Sequence, residues 1–153
     1  MDRAALDVAL ARGIPYGGWC PKGGWAEDFP EPPGLLAKYP QLAETPDADP
    51  AQRTDWNVRD ADACLIVVDE GGLDVSAGTG LASDLAHRYR KPLFVMKLGN
   101  ADALKQAPLW LRVQRTRRGE GLKLAIGGPR ESEVPGIYRR ARAFIDELMD
   151  TAG

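Results

Sequence analysis

Residues 63–80 read Ala63-Cys64-Leu65-Ile66-Val67-Val68-Asp69-Glu70-Gly71-Gly72-Leu73-Asp74-Val75-Ser76-Ala77-Gly78-Thr79-Gly80. The first six form an unbroken apolar run of strand length, without the alternation of a sheet that turns one face to water. Such a run predicts a strand buried on both faces. Asp69 to Gly78 is its loop, and Thr79 to Arg90 reads as the following helix, ended by Lys91-Pro92. Leu93 to Met96 is the next strand and Leu122 to Ile126 a last one, with Asn100 to about Arg115 partly helical and restarted at Pro108. Strands alternating with helices predict an α/β fold, a Rossmann-like parallel sheet with helices on both faces.

The flanking segments fit that scheme. Asp2 to Arg12 has helical apolar spacing and stops at Gly13. Ile14 to Gly18 is a short strand candidate, and Cys20 to about Asp49 is a Pro- and Gly-rich stretch with little periodicity, the composition of a long functional loop. Asp49-Pro50 supplies an N-cap with proline at the first helical position, opening a helix to about Arg59. On it Arg53, Trp56 and Asn57 share one face. Gly136 to Met149 closes the chain as an amphipathic helix with Ile137, Ala141, Phe144, Ile145 and Leu148 inward.

With 153 residues, 44% hydrophobic and 27% charged, the chain has the size and composition of one domain with a proper core, residues 1–153. A formal net charge of -2 argues against non-specific binding of nucleic acid or a membrane surface. Nothing at the start reads as a signal peptide, and no apolar run has the length of a membrane span, so a cytoplasmic location is expected. Cys64, inside the apolar run, reads as a small core residue. Cys20 stands in a Gly-rich loop two residues before Lys22, a position that can lower a thiol pKa. No third cysteine or neighbouring histidine gives metal-ligand spacing, and none of the pattern predicts a metal site.

Four segments concentrate small, polar and basic residues: 17–23, 53–57, 76–80 and 128–132. Three of them follow strand-like runs, and the carboxyl ends of strands are where open α/β sheets bind ligands. Ser76, Gly78 and Thr79 open a helix, an arrangement that offers backbone N–H groups and hydroxyls to an oxyanion; a plain Ser or Thr cap is the alternative. Trp19, Cys20, Lys22 and Gly23 combine donors, an ammonium and an indole on which a planar heterocycle could stack; a solvated turn anchored by a packed Trp19 is the alternative. Arg53, Thr54 and Asn57 are either a polar wall of the site or exposed helix positions. Gly128, Pro129, Arg130 and Ser132 either aim a guanidinium at an oxyanion or form a charged turn. Glu27 and Asp28 are candidate acids or a solvated face, and His87 reads as a surface residue.

The stretches Asp2-Arg3-Ala4-Ala5-Leu6-Asp7-Val8-Ala9, Gly13-Ile14-Pro15 with Gly17-Gly18-Trp19-Cys20-Pro21-Lys22-Gly23, Ala26-Glu27-Asp28, Arg53-Thr54 with Trp56-Asn57-Val58, Gly78-Thr79, and Gly128-Pro129-Arg130 with Pro135-Gly136-Ile137-Tyr138 resemble the molybdenum carrier family. That family is a circularly permuted YpsA-like branch of a Rossmann-like group that includes the cytokinin-activating phosphoribohydrolases and the DNA-processing A proteins. The resemblance runs almost end to end. It implies a binder of a phosphorylated nucleotide-derived or pterin-type ligand, a carrier of molybdenum cofactor or of a nucleotide, with Arg3 joining the ligand-binding residues above.

Two departures qualify what the resemblance implies. Members open with a strand and a Ser-Gly-Gly-Gln-Thr-Gly-Val loop before Asp-Arg-Ala, and Met1 stands where that Val would be. The expectation is a start assigned late and a sheet lacking its first strand. Phosphoribohydrolases of the wider group carry a Glu three residues after the Thr of the Gly-Thr loop, where this chain has Ala82. A non-enzymatic binder is therefore the leading expectation. A nucleoside-monophosphate phosphoribohydrolase using Glu27 or Asp28 is the alternative, and a homo-oligomer, dimer or tetramer, is expected in either case.

Overall fold

A computed structural model of the chain describes residues 2–119 and 121–152. The expectation attached to Met1 lies outside those residues. The elements are α1 (Asp2–Arg12), β1 (Trp19–Cys20), α2 (Leu35–Lys38), β2 (Ala43–Glu44), α3 (Pro50–Asp60), β3 (Ala63–Val68), α4 (Ala77–Arg88), β4 (Leu93–Lys97), α5 (Ala101–Arg118), β5 (Leu124–Gly127) and α6 (Ile137–Ala152).

β3 is the centre of a three-stranded parallel sheet in the order β4-β3-β5, and every one of its residues is buried. Cys64 stands opposite Leu93 on one side and Ala125 on the other, and Leu65 opposite Phe94 and Ile126. Strand alternation then sorts the side chains into two cores. Leu65 and Val67, with Met96 and Leu98, pack against Ala4 and Val8 of α1, Ala107 and Leu111 of α5, and Ile137, Ala141, Phe144 and Ile145 of α6. Cys64 on the opposite face packs against Val58 of α3 and Leu85 and Ala86 of α4. Helices thus cover both faces of a Rossmann-like sheet, and the inward set of α6 is buried. Asp62 pins the start of β5: its N–H donates to the Lys123 carbonyl at 2.8 Å, and its carboxylate accepts from the Lys123 N–H at 2.8 Å.

Several boundaries differ from those the periodicity predicts, each for a physical reason. Among the described residues Ile14 to Gly17 form no strand. The strand lies at Trp19–Cys20 and joins Ala43–Glu44 in a separate two-stranded parallel sheet. Pro15 has no N–H to donate, and pairing begins only at the Gly18 carbonyl, which accepts from the Ala43 N–H at 2.9 Å. α4 starts two residues early, because Ser76 caps it by accepting from the Thr79 N–H. β5 runs Leu124–Gly127 and not Leu122–Ile126. α5 is continuous through Pro108, capped by Asn100, with no restart. Ala107, Leu111 and Gln114 are buried along it, and that packing outweighs the lost hydrogen bond at proline.

The irregular stretch between β1 and α3 has its own small core of Cys20, Leu35 and Tyr39, packed with Leu6, Tyr16 and Phe29. Gly24 holds it in shape. Its φ is +69°, and a Cβ there would stand 2.2 Å from the Pro33 carbonyl oxygen, so only glycine allows the two strands of chain to touch. The stretch is tied to the main core by Asp7, only 5% exposed on α1. Its carboxylate accepts from the hydroxyls of Tyr39 and Tyr138, and the Lys38 ammonium lies 3.1 Å away. Burial pushes the Asp7 carboxyl up, but the hydrogen bonds from Tyr138, Tyr39 and Lys38 together outweigh it and hold the pKa below its ordinary 3.8.

Because the folded pKa is depressed, the contribution of Asp7 to stability is present above pH 3.8 and lost as the pH falls through the lower folded value. Asp7→Asn should therefore lower stability by about 2 kcal/mol at pH 7 and by less at pH 3, as checked by urea unfolding at the two pH values. Equal losses at both would mean that the carboxylate charge carries none of the effect.

Candidate functional site

α3 and α4 run back along the sheet after or before β3, and α6 follows β5, so the N-terminal turns of these helices lie at the carboxyl edge of the strands. The loops after β3 and β5, which are neighbours in the sheet, open at that edge. Two side-chain contacts bring the irregular stretch to it as well. The Glu27 carboxylate accepts from the Ser132 hydroxyl at 2.7 Å and the Ser132 N–H at 3.2 Å, and Asp28 pairs with Arg3 at the start of α1. Of the four segments singled out in the sequence, those around Lys22 and Arg130 are thereby linked through Glu27 and Ser132.

At the α4 N-terminus, the Ser76 Oγ accepts from the Thr79 N–H at 3.3 Å, so the capping role is real. The Ser76 carbonyl accepts from the Gly80 N–H at 3.0 Å. Gly78 is exposed, and a Cβ on it would meet nothing nearer than 4.0 Å, so the turn has open space over its backbone. Thr79 is 2% exposed, yet among the described residues its Oγ1 has no hydrogen-bond partner. A buried hydroxyl left unpaired costs about 1–3 kcal/mol.

In the loop after β5, Pro129 is fully buried and Gly128 half-buried, while Arg130 is exposed. The Arg130 guanidinium lies 3.8 Å from Glu27 and 3.6 Å from Glu133, both loose contacts. The Ser132 hydroxyl is committed to Glu27. That hydrogen bond depresses the Glu27 pKa against the upward push of burial, and the Ser132 N–H and Arg130 lower it further. A carboxylate so held is an acceptor and a tether; together with Asp28 in its pair with Arg3, it is engaged rather than poised for proton transfer. Arg3 itself lies between the rings of Phe29 and Tyr138, 5.1 and 5.4 Å from their centroids.

The segment around β1 overturns the expectation for Cys20 and takes the packed alternative for Trp19. Cys20 is 1% exposed, and its thiol pKa is raised: burial does most of this and Glu44 adds to it, against the opposing charge of Arg53. Proximity to Lys22 in sequence does not lower it, because the thiol points into the small core. Asn57 is a clamp on the backbone of β1, accepting from the Trp19 N–H at 2.8 Å and donating to the Trp19 carbonyl at 3.0 Å. Gly18 is what lets it approach, since a Cβ there would stand 2.8 Å from the Asn57 Oδ1. The Trp19 indole N–H donates to Asp60 at 2.8 Å, and its ring meets Trp56 edge to face with centroids 4.7 Å apart. Trp19 is thus a packed anchor of the turn. The Thr54 hydroxyl donates back to the Pro50 carbonyl of its own helix at 3.1 Å, and Arg53 is half-buried on the same helix.

Lys22 and Gly23 line a cavity of about 400 Å³ with Trp25, Pro30, Pro32, Ala48 and Pro50. Trp25 escaped the sequence reading. Two indoles stand in one Gly-rich segment, and nothing local tells which is packed. Among the described residues no group of three or more His, Cys, Asp or Glu side chains is placed to hold a metal ion, and no helix is long and apolar enough to cross a membrane. His87 is exposed, its Nδ1 2.8 Å from the Ser83 carbonyl oxygen, and Cys64 is a buried thiol with its pKa pushed up to about 11.

Parallel sheet, helices on both faces and ligand-type loops at the carboxyl edge define a Rossmann-like α/β binding fold. Residues 1–149 match the family described as the circularly permuted YpsA SLOG family. The chain is also similar to a solved structure from Syntrophus aciditrophicus SB, named "Putative molybdenum carrier protein": 34% identity over 99% of this chain and 87% of that one, with a TM-score of 0.77. No curated protein matches. The chain belongs to the circularly permuted YpsA SLOG family.

Both thiols are buried with raised pKa values, so neither Cys20 nor Cys64 should react with a disulfide reagent in the native protein at pH 8, and both should react in denaturant. One thiol titrating rapidly under native conditions would show Cys20 to be accessible.

Proposed function

We propose that the protein is a non-enzymatic binder, a carrier or sensor, of a phosphorylated heterocycle of the nucleotide or pterin type, molybdenum cofactor among them. The observation that carries the reading is Thr79. Its hydroxyl is buried without a partner among the described residues, at the first turn of a twelve-residue helix and beside a glycine with open space over its backbone. Backbone N–H groups at a helix start attract anions, and an oxyanion there would supply the missing acceptor. The name of the Syntrophus relative supports a molybdenum-related cargo. Gly78, Thr79 and Ser76 would hold the phosphate, with Arg130 as the nearby cation from the adjacent loop. The residues present fit a phosphate better than a bare metal ion, which would need a carboxylate, thiolate or imidazole set.

The same reading includes self-association. β5 pairs only with β3 among the described residues, and all four of its residues are half-buried, so its outer edge can take a second copy of the chain. Light scattering across a wide concentration range should give a dimer or tetramer; a monomer throughout would contradict this.

Thr79→Val tests the anion site. Removing an unpaired buried hydroxyl should stabilise the free protein by about 1 kcal/mol, a rise of roughly 2–4 °C in Tm. It should also weaken guanosine monophosphate or a pterin phosphate about tenfold, the loss of one charge-assisted hydrogen bond. A variant that melts lower and binds these probes as tightly as the native protein would remove Thr79 from the site.

A further inference from the structure

Lys22 is the one charged residue lining the cavity of about 400 Å³, and its side chain takes part in no ion pair among the described residues. The neighbouring acids are engaged elsewhere. Glu44 accepts from the Gly23 N–H at 2.8 Å, Asp47 from the Asp49 N–H at 3.0 Å, and Asp49 from the Ala51 N–H at 2.9 Å. The remaining walls are three proline rings, Ala48 and Trp25, which is 37% exposed although it is a large apolar side chain. Trp25 makes no ring contact and its indole N–H no hydrogen bond among the described residues, in contrast to Trp19, whose ring meets Trp56 and whose N–H is held by Asp60. The proline rings and the Gly24 contact with Pro33 fix the walls in advance, so little ordering is needed on binding. The volume is in the range of small-molecule sites.

The cavity also stands at the right edge of the molecule. Trp25 is two residues before Glu27, whose carboxylate holds Ser132 of the loop after β5, and Pro50 opens α3. We propose that this cavity is a subsite for a planar heteroaromatic ring, with Trp25 as the stacking residue and the Lys22 ammonium as the hydrogen-bond donor to a carbonyl oxygen of that ring. The ligand class is a purine or pterin bearing a phosphate. The inference rests on the reading of the protein as a binder of a phosphorylated heterocycle. It assigns the ring to Trp25, and leaves Trp19 as the anchor that holds β1 to α3.

Stacking on tryptophan quenches its fluorescence, so the test uses four probes: guanosine, guanosine monophosphate, 6-hydroxymethylpterin and inorganic phosphate. They are titrated into the native protein, Trp25→Leu, Lys22→Ala and Thr79→Val, with thermal melts to show that each variant is folded. The ring-bearing probes should quench the native protein. In Trp25→Leu that quenching should vanish, with ring-probe affinity, read by calorimetry, about tenfold weaker. Lys22→Ala should weaken guanosine and guanosine monophosphate alike, several-fold, since the phosphate lies at the α4 turn and not at Lys22.

The inference is overturned if no ring-bearing probe binds the native protein, or if Trp25→Leu binds them unchanged while remaining folded. The underlying reading fails in a different way. If binding depends on Trp25 but guanosine binds as tightly as its monophosphate, and Thr79→Val changes nothing, the ring subsite stands and the phosphate site does not. If phosphate competes and Thr79→Val weakens it while Trp25→Leu has no effect, the phosphate site stands and the ring assignment falls.

Discussion

The parallel pairing of β3 with β4 on one side and β5 on the other is the constraint from which the rest of the molecule follows. A strand with neighbours on both edges and apolar side chains on both faces can exist only inside a three-layer arrangement. Leu65 and Val67 require α1, α5 and α6 beneath them, and Cys64 requires α3 and α4 above. Because the strands are parallel, each connection returns through a helix, and the helix starts gather at one edge. The loops after β3 and β5 are therefore clustered by the sheet's polarity, and the stretch around Lys22 is joined to them by the contact of Glu27 with Ser132.

The second organising element is polar. The stretch between β1 and α3 has few apolar residues to bury, and side chains of the main body hold it and the strand before it: Asp7 receives the Tyr39 and Tyr138 hydroxyls, Asn57 pairs with both backbone groups of Trp19, and Ser132 and Arg3 hold Glu27 and Asp28. Each satisfies groups that would otherwise be desolvated without a partner. Their effect is to set a wall of rigid proline rings and one exposed indole beside the sheet's carboxyl edge. That is how a segment with almost no regular structure comes to line an open groove.

What could be read from the sequence follows the range of the interactions involved. β3 and α6 were legible because their signals, an unbroken apolar run and a clear helical stripe, lie within a few residues. The cap of α3 at Asp49 was legible for the same reason, and its side chain does accept from the Ala51 N–H. β1 lies further along the chain than its local composition predicts, and α5 continues where Pro108 predicts a restart, because pairing at Gly18 and packing of Ala107 and Leu111 are decided by distant parts of the chain. The site divides in the same way. The glycine and hydroxyl turn at the start of α4 was visible locally, including its plain capping role. Which of Trp19 and Trp25 is free, and that Cys20 is buried away from Lys22, depend on Asp60, Asn57 and Glu44, 41, 38 and 24 residues further on from Trp19 or Cys20.

The account stands on an oxyanion site at the N-terminal turn of α4. The most direct measurement is a titration of isotope-labelled protein with inorganic phosphate and with guanosine monophosphate, followed by amide chemical shifts in NMR. The account predicts that the largest shifts fall on Ala77, Gly78, Thr79 and Gly80, with smaller ones on Gly128 and Arg130, and that both probes move the same α4 amides. Shifts that are scattered over the surface, or confined to the groove between α1 and α6 lined by Tyr138, Arg139 and Arg142, would contradict it.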